Sequence, residues 1–336
     1  MNSLEPIWQQ LTSAEGSLLQ SCAVLLSAIL LARYVPIINA LNPLMAFRRL
    51  AHGMATKVNK PGRANSQRQV AGIMATLCLT LPIIVASYFI TSLAAYPWFF
   101  EFLILYLCLP ELSFSSVAAQ IQKLLANGDK AKARELLAKH IGFKTDSLSE
   151  VGIAKATIEL QLTAPLHGFI SVILLFLIGG LPLVIAAKLL RQLELSWPSY
   201  HPQYQAFSSL VFALNRVIYF IPKLLWLATL SLPLGRSPMP SFNAELTNRQ
   251  PNNDYACHHL GAHLLGIELG GPQQFESTTK GEVTRVARDK IIAGAMPSRD
   301  TIGAATKLVS PAFYFWLALT LALPIIWFAL KWIRNM

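Results

Sequence analysis

Charge is what this chain has least of. Only 13% of its 336 residues are Asp, Glu, Lys or Arg, while 54% are hydrophobic; a soluble domain carries about twice that charge. Acids are the scarcer sign, with 17 Asp and Glu against 28 Lys and Arg. The net charge of +11 fits a topology signal and anionic lipid rather than nucleic acid, because the aromatic residues sit inside apolar runs and not between basic ones. Cysteine is sparse too. Cys22, Cys78 and Cys108 lie in apolar segments, Cys257 stands alone in a polar one, and no CxxC pair exists, which excludes a disulfide framework and a zinc ribbon. There is no Walker lysine motif, no GxSxG elbow and no GxGxxG loop, so spacing alone names no reaction. No repeat of fixed period is present. The first apolar run has neither a basic leader nor a small-residue cleavage site, and reads as a retained span.

What the chain does have is long apolar runs. They cover about 17–38, 70–96, 166–190, 206–232 and 311–330, with a shorter run at 99–109 that crosses only at an angle or re-enters. The expected fold is therefore all-α, a polytopic integral membrane protein with about five to six transmembrane helices and helical cytoplasmic segments. Residues 1–16 hold no Lys or Arg, whereas 39–69 hold Arg48, Arg49, Lys57, Lys60, Arg63 and Arg68 and no acid. The positive-inside rule puts 39–69 in the cytoplasm and the N-terminus outside. The sidedness of everything after residue 109 hangs on whether the short run crosses. Gly179-Gly180-Leu181-Pro182 should bend or break the third long run. Arg216, inside the next, needs a partner or a watery cavity.

Two polar segments interrupt the apolar pattern. Residues 111–160 form a helical insert: Val117, Ile121, Leu124 and Leu125 make an apolar stripe, Asn127-Gly128-Asp129 breaks the chain, and Asp129 caps a second helix through Leu136 and Leu137. Ser149-Glu150 starts a third helix reaching Glu159. Residues 234–310 form the largest polar segment, with a helix-like run through Ile291 and Ile292. Inside it, 249–275 stands out. Pro251-Asn252 opens a helix-compatible stretch that ends at Leu269-Gly270-Gly271-Pro272, where a double glycine allows close backbone approach to a ligand and the proline sets the exit. Its plainer reading is an ordinary capped helix with a glycine stop. Cys257, His258, His259 and His263 invite a metal reading, with His259 and His263 on one helix face. The set has no HExxH glutamate or distant CxxC, and no metal is assigned to it.

The same stretch, from Pro251-Asn252 to Leu265-Gly266-Ile267-Glu268-Leu269-Gly270-Gly271-Pro272, resembles the SPNAG…LGxxLGGPN region of the adenosylcobinamide-phosphate synthase family, also called CbiB/CobD. Further pieces follow in order over about 40–275. Asn42-Pro43 before the basic loop is similar to an early HP segment, and Gly128-Asp129 with Ala133-Arg134 to a GD…AR helix pair. Gly142, Thr145 and Leu148 resemble a GRDT…L turn. Glu159, Ala164-Pro165-Leu166 and Gly179-Gly180 resemble E…APL…GG, and Phe220-Ile221-Pro222 resembles NYIP. The departures are mostly lost acids. Thr163, Ala164 and His167 stand near an EN…D run. The YKxxNTLDS passage reads Ala187-Lys188-Leu189-Leu190-Arg191-Gln192-Leu193-Glu194. Asn215 and Arg216 replace paired aspartates, and Phe143 and Lys144 replace Arg-Asp.

The resemblance implies a multi-pass inner-membrane protein of one membrane domain, acting on a corrinoid in cobalamin assembly. It implies an ATP- and magnesium-dependent ligase that forms an amide between a corrinoid carboxylate and aminopropanol or its phosphate. On it, Lys188 would neutralise phosphate and Glu194 would be a remaining metal ligand, the two carrying catalysis. Arg134, Thr145, Glu159, Asn252, Gly270 and Gly271 would bind substrate. Magnesium needs carboxylates, so the missing acids leave open a non-catalytic homologue acting in sensing or assembly. A transporter would suit Arg216 and the glycine break, but no inverted repeat is present. Oligomeric state is left open.

Overall fold

The computed structural model describes residues 14–35, 37, 42–276 and 283–334. Helices dominate. α1 (Ala14–Tyr34) is followed by α2 (Pro43–Val58), whose first turn is closed by the Asn42 side chain accepting from the Leu44 N–H at 2.9 Å. α3 (Asn65–Leu93) and α4 (Pro97–Leu107) come next. α3 turns Leu77, Leu81, Val85 and Ile90 outward, an apolar face suited to lipid, and Tyr96 and Trp98 lie exposed at its far end where an aromatic belt belongs.

The polar insert folds as its pattern predicts. α5 (Phe114–Ala126) buries Ile121 and Leu125, Gly128 takes φ +78° at the break, and Asp129 caps α6 (Lys130–Ala138) by accepting from the Lys132 N–H. Ser149 caps α7 (Glu150–Pro165) in the same way. A single π turn, Leu166–Ile170, joins α7 to α8 (Ser171–Ser196).

This third apolar run does not cross as one rod. Asp254 accepts from His167 at 2.8 Å and from Arg191 at 2.6 Å. Twenty-four residues of straight helix (191 − 167) would hold those two groups about 36 Å apart. The chain instead doubles back at Gly179 (φ −135°, ψ 15°) and Gly180 (φ 63°, ψ −163°). Only glycine takes the second conformation at low cost. Exposed Leu177 and Ile178 form the apolar tip of this helical hairpin, and the site lies at its open end.

α9 (Ser209–Ile218) and α10 (Phe220–Ser231) follow, the α9 and α10 segments bent by 57°. Arg216 is exposed on α9, whereas Asn215 beside it is buried and bonded. α11 (Met239–Thr247) is anchored by a buried pair, Lys223 Nζ to Glu245 at 2.5 Å, and Glu245 also accepts from the Ala256 N–H at the start of α12 (Tyr255–Leu265). Two short antiparallel ribbons complete the polar region: β1 (Glu268–Gly270) with β4 (Lys290–Ile292), and β2 (Gln273–Glu276) with β3 (Val283–Val286). The helix-like reading of Ile291 and Ile292 is thus corrected. Ile291 is buried opposite Leu269 and Ile292 is exposed, the alternation of a strand. α13 (Arg299–Arg334) ends the described chain.

Among the described residues, three helices are long and apolar enough to cross a membrane, or four if the bent pair counts as one span. Gln20–Tyr34 and Pro97–Leu107 are shorter apolar helices. The fold is that of a multi-pass membrane protein. Its polar segments meet on one side: the Arg48 guanidinium bonds the Ile141 carbonyl, Trp197 Nε1 bonds the Ala51 carbonyl, and Asn59 bonds the Gln203 carbonyl.

Candidate active site

A cleft opens where α7, the C-terminal half of α8, the 197–203 turn, α12 and the ribbons meet. Its inner chamber, about 730 Å³ with its mouth, is lined by Glu159, Arg191, Glu194, Tyr200, Asp254 and His258 among others. An outer lobe of about 1110 Å³ continues from it over Gly270 and Gly271. Glu159 and Arg288 line both and divide them.

The inner chamber is organised by the Asn252-Asn253-Asp254 turn. Asn252 accepts from the Asp254 N–H at 3.0 Å, which shapes the turn into α12. Asn253 donates to Glu194 at 2.7 Å and to the Phe212 carbonyl. Asp254 joins the π turn to α8 through His167 and Arg191. Burial alone would raise its carboxyl, but Arg191 and His167 hold it well below the usual carboxylate range. Glu194 also accepts from Arg191 at 3.1 Å and from Asn215 at 3.0 Å. Burial pushes the His258 ring below its ordinary value despite the nearby Glu159. Burial pushes the Tyr200 phenol up to about 12, and it donates to Gln273 at 2.8 Å.

The outer lobe is basic. Lys144, Lys155, Arg285, Arg288 and Lys290 line it, against Glu159 and Glu268. Glu268 is held by Lys155 at 2.6 Å and Lys290 at 3.3 Å. Glu159 accepts from Arg288 and from the Gly270 N–H at 2.8 Å. Burial opposes the Arg288 charge, yet the adjacent Glu159 raises its pKa overall, and its Nε is a buried donor with no partner among the described residues. Gly270 has φ +76°, and a Cβ there would stand 2.2 Å from the Asp289 carbonyl oxygen. Gly271 has φ +108°. The double glycine therefore brings backbone close to the lobe, as its sequence suggested.

The structure gathers most of the sequence candidates. Glu159, Gly270 and Gly271 line the outer lobe, and Glu194 and Asn252 the inner chamber. Lys188 is buried one turn from Arg191 and lines none of these spaces. Arg134 and Thr145 stand outside the cleft as well. Arg134 donates to the Leu148 carbonyl at 2.9 Å, and Thr145 accepts from the Leu148 N–H, so both shape the turn that forms its rim. Sequence reasoning passed over Asp254, Arg288, Tyr200 and Asn253. Asp254 alone had a signal, as an acid beside Pro251-Asn252. The histidine cluster does not converge: Cys257 is buried, His258 faces the cleft, and His259 bonds Ser241 at 3.0 Å. Among the described residues no group of three or more such side chains could hold a metal.

The sequence profile of the CobD/Cbib protein family matches residues 24–309. The chain belongs to the CobD/CbiB family. Its relatives include "Cobalamin biosynthesis protein CobD" of Chromobacterium violaceum, 26% identical over 85% of this chain and 91% of that one. The CobD protein of Listeria monocytogenes serotype 4b is 26% identical over 71% and 79%. "Cobalamin biosynthesis protein CbiB" of Salmonella typhimurium is 25% identical over 69% and 72%. No solved structure matches the chain. At this identity it is a divergent CobD/CbiB protein, which agrees with the acids it lacks.

Proposed function

We propose that this chain serves cobalamin biosynthesis in the inner membrane, at the amide-forming step that joins aminopropanol or its phosphate to adenosylcobyric acid. The observation that carries the reading is the divided cleft, a cation-rich lobe opening directly into a polar chamber. Lys144, Lys155, Arg285 and Lys290, with the unpartnered Nε of Arg288, suit the phosphates of ATP. ATP, when bound, supplies the activation of a carboxyl group. The protein's part is to hold the phosphates against the Gly270-Gly271 backbone and to orient the acceptor among Tyr200, Asn252 and Asp254. The corrinoid, far larger than the chamber, would present one side chain at the mouth. Magnesium fits less well. Glu159, Glu194, Asp254 and Glu268 are each already paired with a cation, which weakens them as ligands, and no role is assigned to the ion.

The test is complementation of a strain lacking the synthase, grown with cobyric acid as the only corrinoid. Growth with the parent and its loss with Arg288→Ala, at normal membrane abundance, is the expected result. If the parent never supports growth, the reading falls. A non-catalytic homologue, which the pairing of every cleft acid favours, then takes its place.

A further inference from the structure

The cavity continues behind the inner chamber. A rear chamber of about 800 Å³ is walled by α2, the Pro110 turn, α5, α7 and α8. It shares His140, Leu160, Thr163, Arg191 and Leu195 with the inner chamber but no residue with the outer lobe. Asn42 and Leu44 line it at the start of α2, just past the end of α1. This puts to use the Asn42-Pro43 segment that the cleft itself leaves unexplained.

The lining carries Arg48, Arg191, His140 and His167, and no carboxylate among the described residues. The sequence from 36 to 41 adds no acid. Arg48 donates to the Ile141 carbonyl and meets no carboxylate among the described residues. Burial, and then the charge of Arg191, lower its pKa to about 10. Arg191 is already neutralised by Asp254 and Glu194, so Arg48 is the cation of this space that meets no carboxylate among the described residues, and an anion there would offset the cost of burying its charge. His167 is buried, with Nε2 on Asp254, while its Nδ1 has no partner among the described residues. With the Nε2 proton on Asp254, the neutral ring offers Nδ1 only as an acceptor, so it meets a phosphate solely through a protonated oxygen, which a phosphodiester lacks.

We propose that the rear chamber is a second anion site, taking a phosphate group held by Arg48 with the Arg191 guanidinium beside it. The phosphate comes either from a small soluble organophosphate or from the headgroup of an anionic phospholipid entering beside α1. The chemistry of recognition is the same for both.

Inorganic phosphate titrated calorimetrically into the full chain tests this, in nanodiscs of phosphatidylcholine and in discs containing phosphatidylglycerol. The parent should bind phosphate in phosphatidylcholine discs. Arg48→Gln should weaken that binding about tenfold or more, the size of one lost charge-assisted hydrogen bond. Met45→Trp, which fills the lining beside Arg48 and keeps both arginines, should weaken it similarly and carries the test if Arg48→Gln fails to fold. Loss of phosphate binding only in phosphatidylglycerol discs supports the site with a lipid headgroup as occupant. Binding in both discs supports it with a soluble phosphate. The site is overturned if the parent binds no phosphate in phosphatidylcholine discs, or if both variants bind it as the parent does. The readout is binding, so it stands or falls apart from complementation.

Discussion

Asp254→Ala is the sharpest perturbation of this site. The carboxylate bridges the start of α12 to His167 on the π turn and Arg191 on α8, with only 14% of its side chain exposed. Removing it leaves Nε2 of His167 without its acceptor and strips one of two carboxylates from Arg191. Breaking a buried ion pair by deleting one partner costs ~3–5 kcal/mol. Glu194 still accepts from Arg191 at 3.1 Å, which places the loss at the lower end, about 3 kcal/mol. At roughly 2 °C per kcal/mol for a chain of this size, melting in detergent should fall by about 6 °C. Asp254→Asn should cost less, because it keeps the shape and one acceptor. The double variant Asp254→Leu/Arg191→Met should recover much of the loss, since it removes the unpaired charge together with its partner. The pH dependence has a definite sign. The folded carboxyl lies below its ordinary value of 3.8, so its stabilisation is fully present above that value. It fades as pH falls from there through the folded pKa, and the gap between parent and Asp254→Asn should narrow only below about pH 4. A melting point for Asp254→Ala within about 1 °C of the parent at pH 7 would refute the bridge.

Gly270→Ala should lose complementation and destabilise the fold, because its φ of +76° and a Cβ 2.2 Å from the Asp289 oxygen strain it twice; Gly128→Ala, equally left-handed but in open space, should cost only about 1 kcal/mol by thermal melting. Cysteines placed at Ser66 and at Ser147 should both resist labelling from outside intact cells, because Arg48 ties the two polar segments to one side; opposite labelling of the pair would break that topology. Glu194→Ala should abolish complementation, because three donors lose their acceptor, and full growth would remove this residue from the site. Purified protein should carry no stoichiometric zinc, and a zinc content abolished by His263→Ala would contradict this.

The features legible in the sequence are those whose energetics are local. Asp129 and Ser149 cap α6 and α7, the apolar stripe of α5 faces the core, and the glycine pair at 179–180 breaks its helix, because caps, periodicity and φ preferences act within a few residues. The membrane class follows from composition, since a chain so poor in charge has little else to do with its apolar runs. The Pro251–Pro272 stretch marked the cleft because turns and double glycines leave a trace in residue type. Tertiary structure decided the rest. That the two polar segments lie side by side was decided by Arg48 meeting Ile141, partners 93 residues apart. That residues 150–196 fold back on themselves was settled by one carboxylate reaching both arms. Ile291 became a strand residue because its partner was Leu269. Lys188, which matched the family motif best, lines neither lobe, while Arg288, with no motif, divides them. A buried charge must find its counterion wherever the fold places it, and sequence spacing carries no record of that distance.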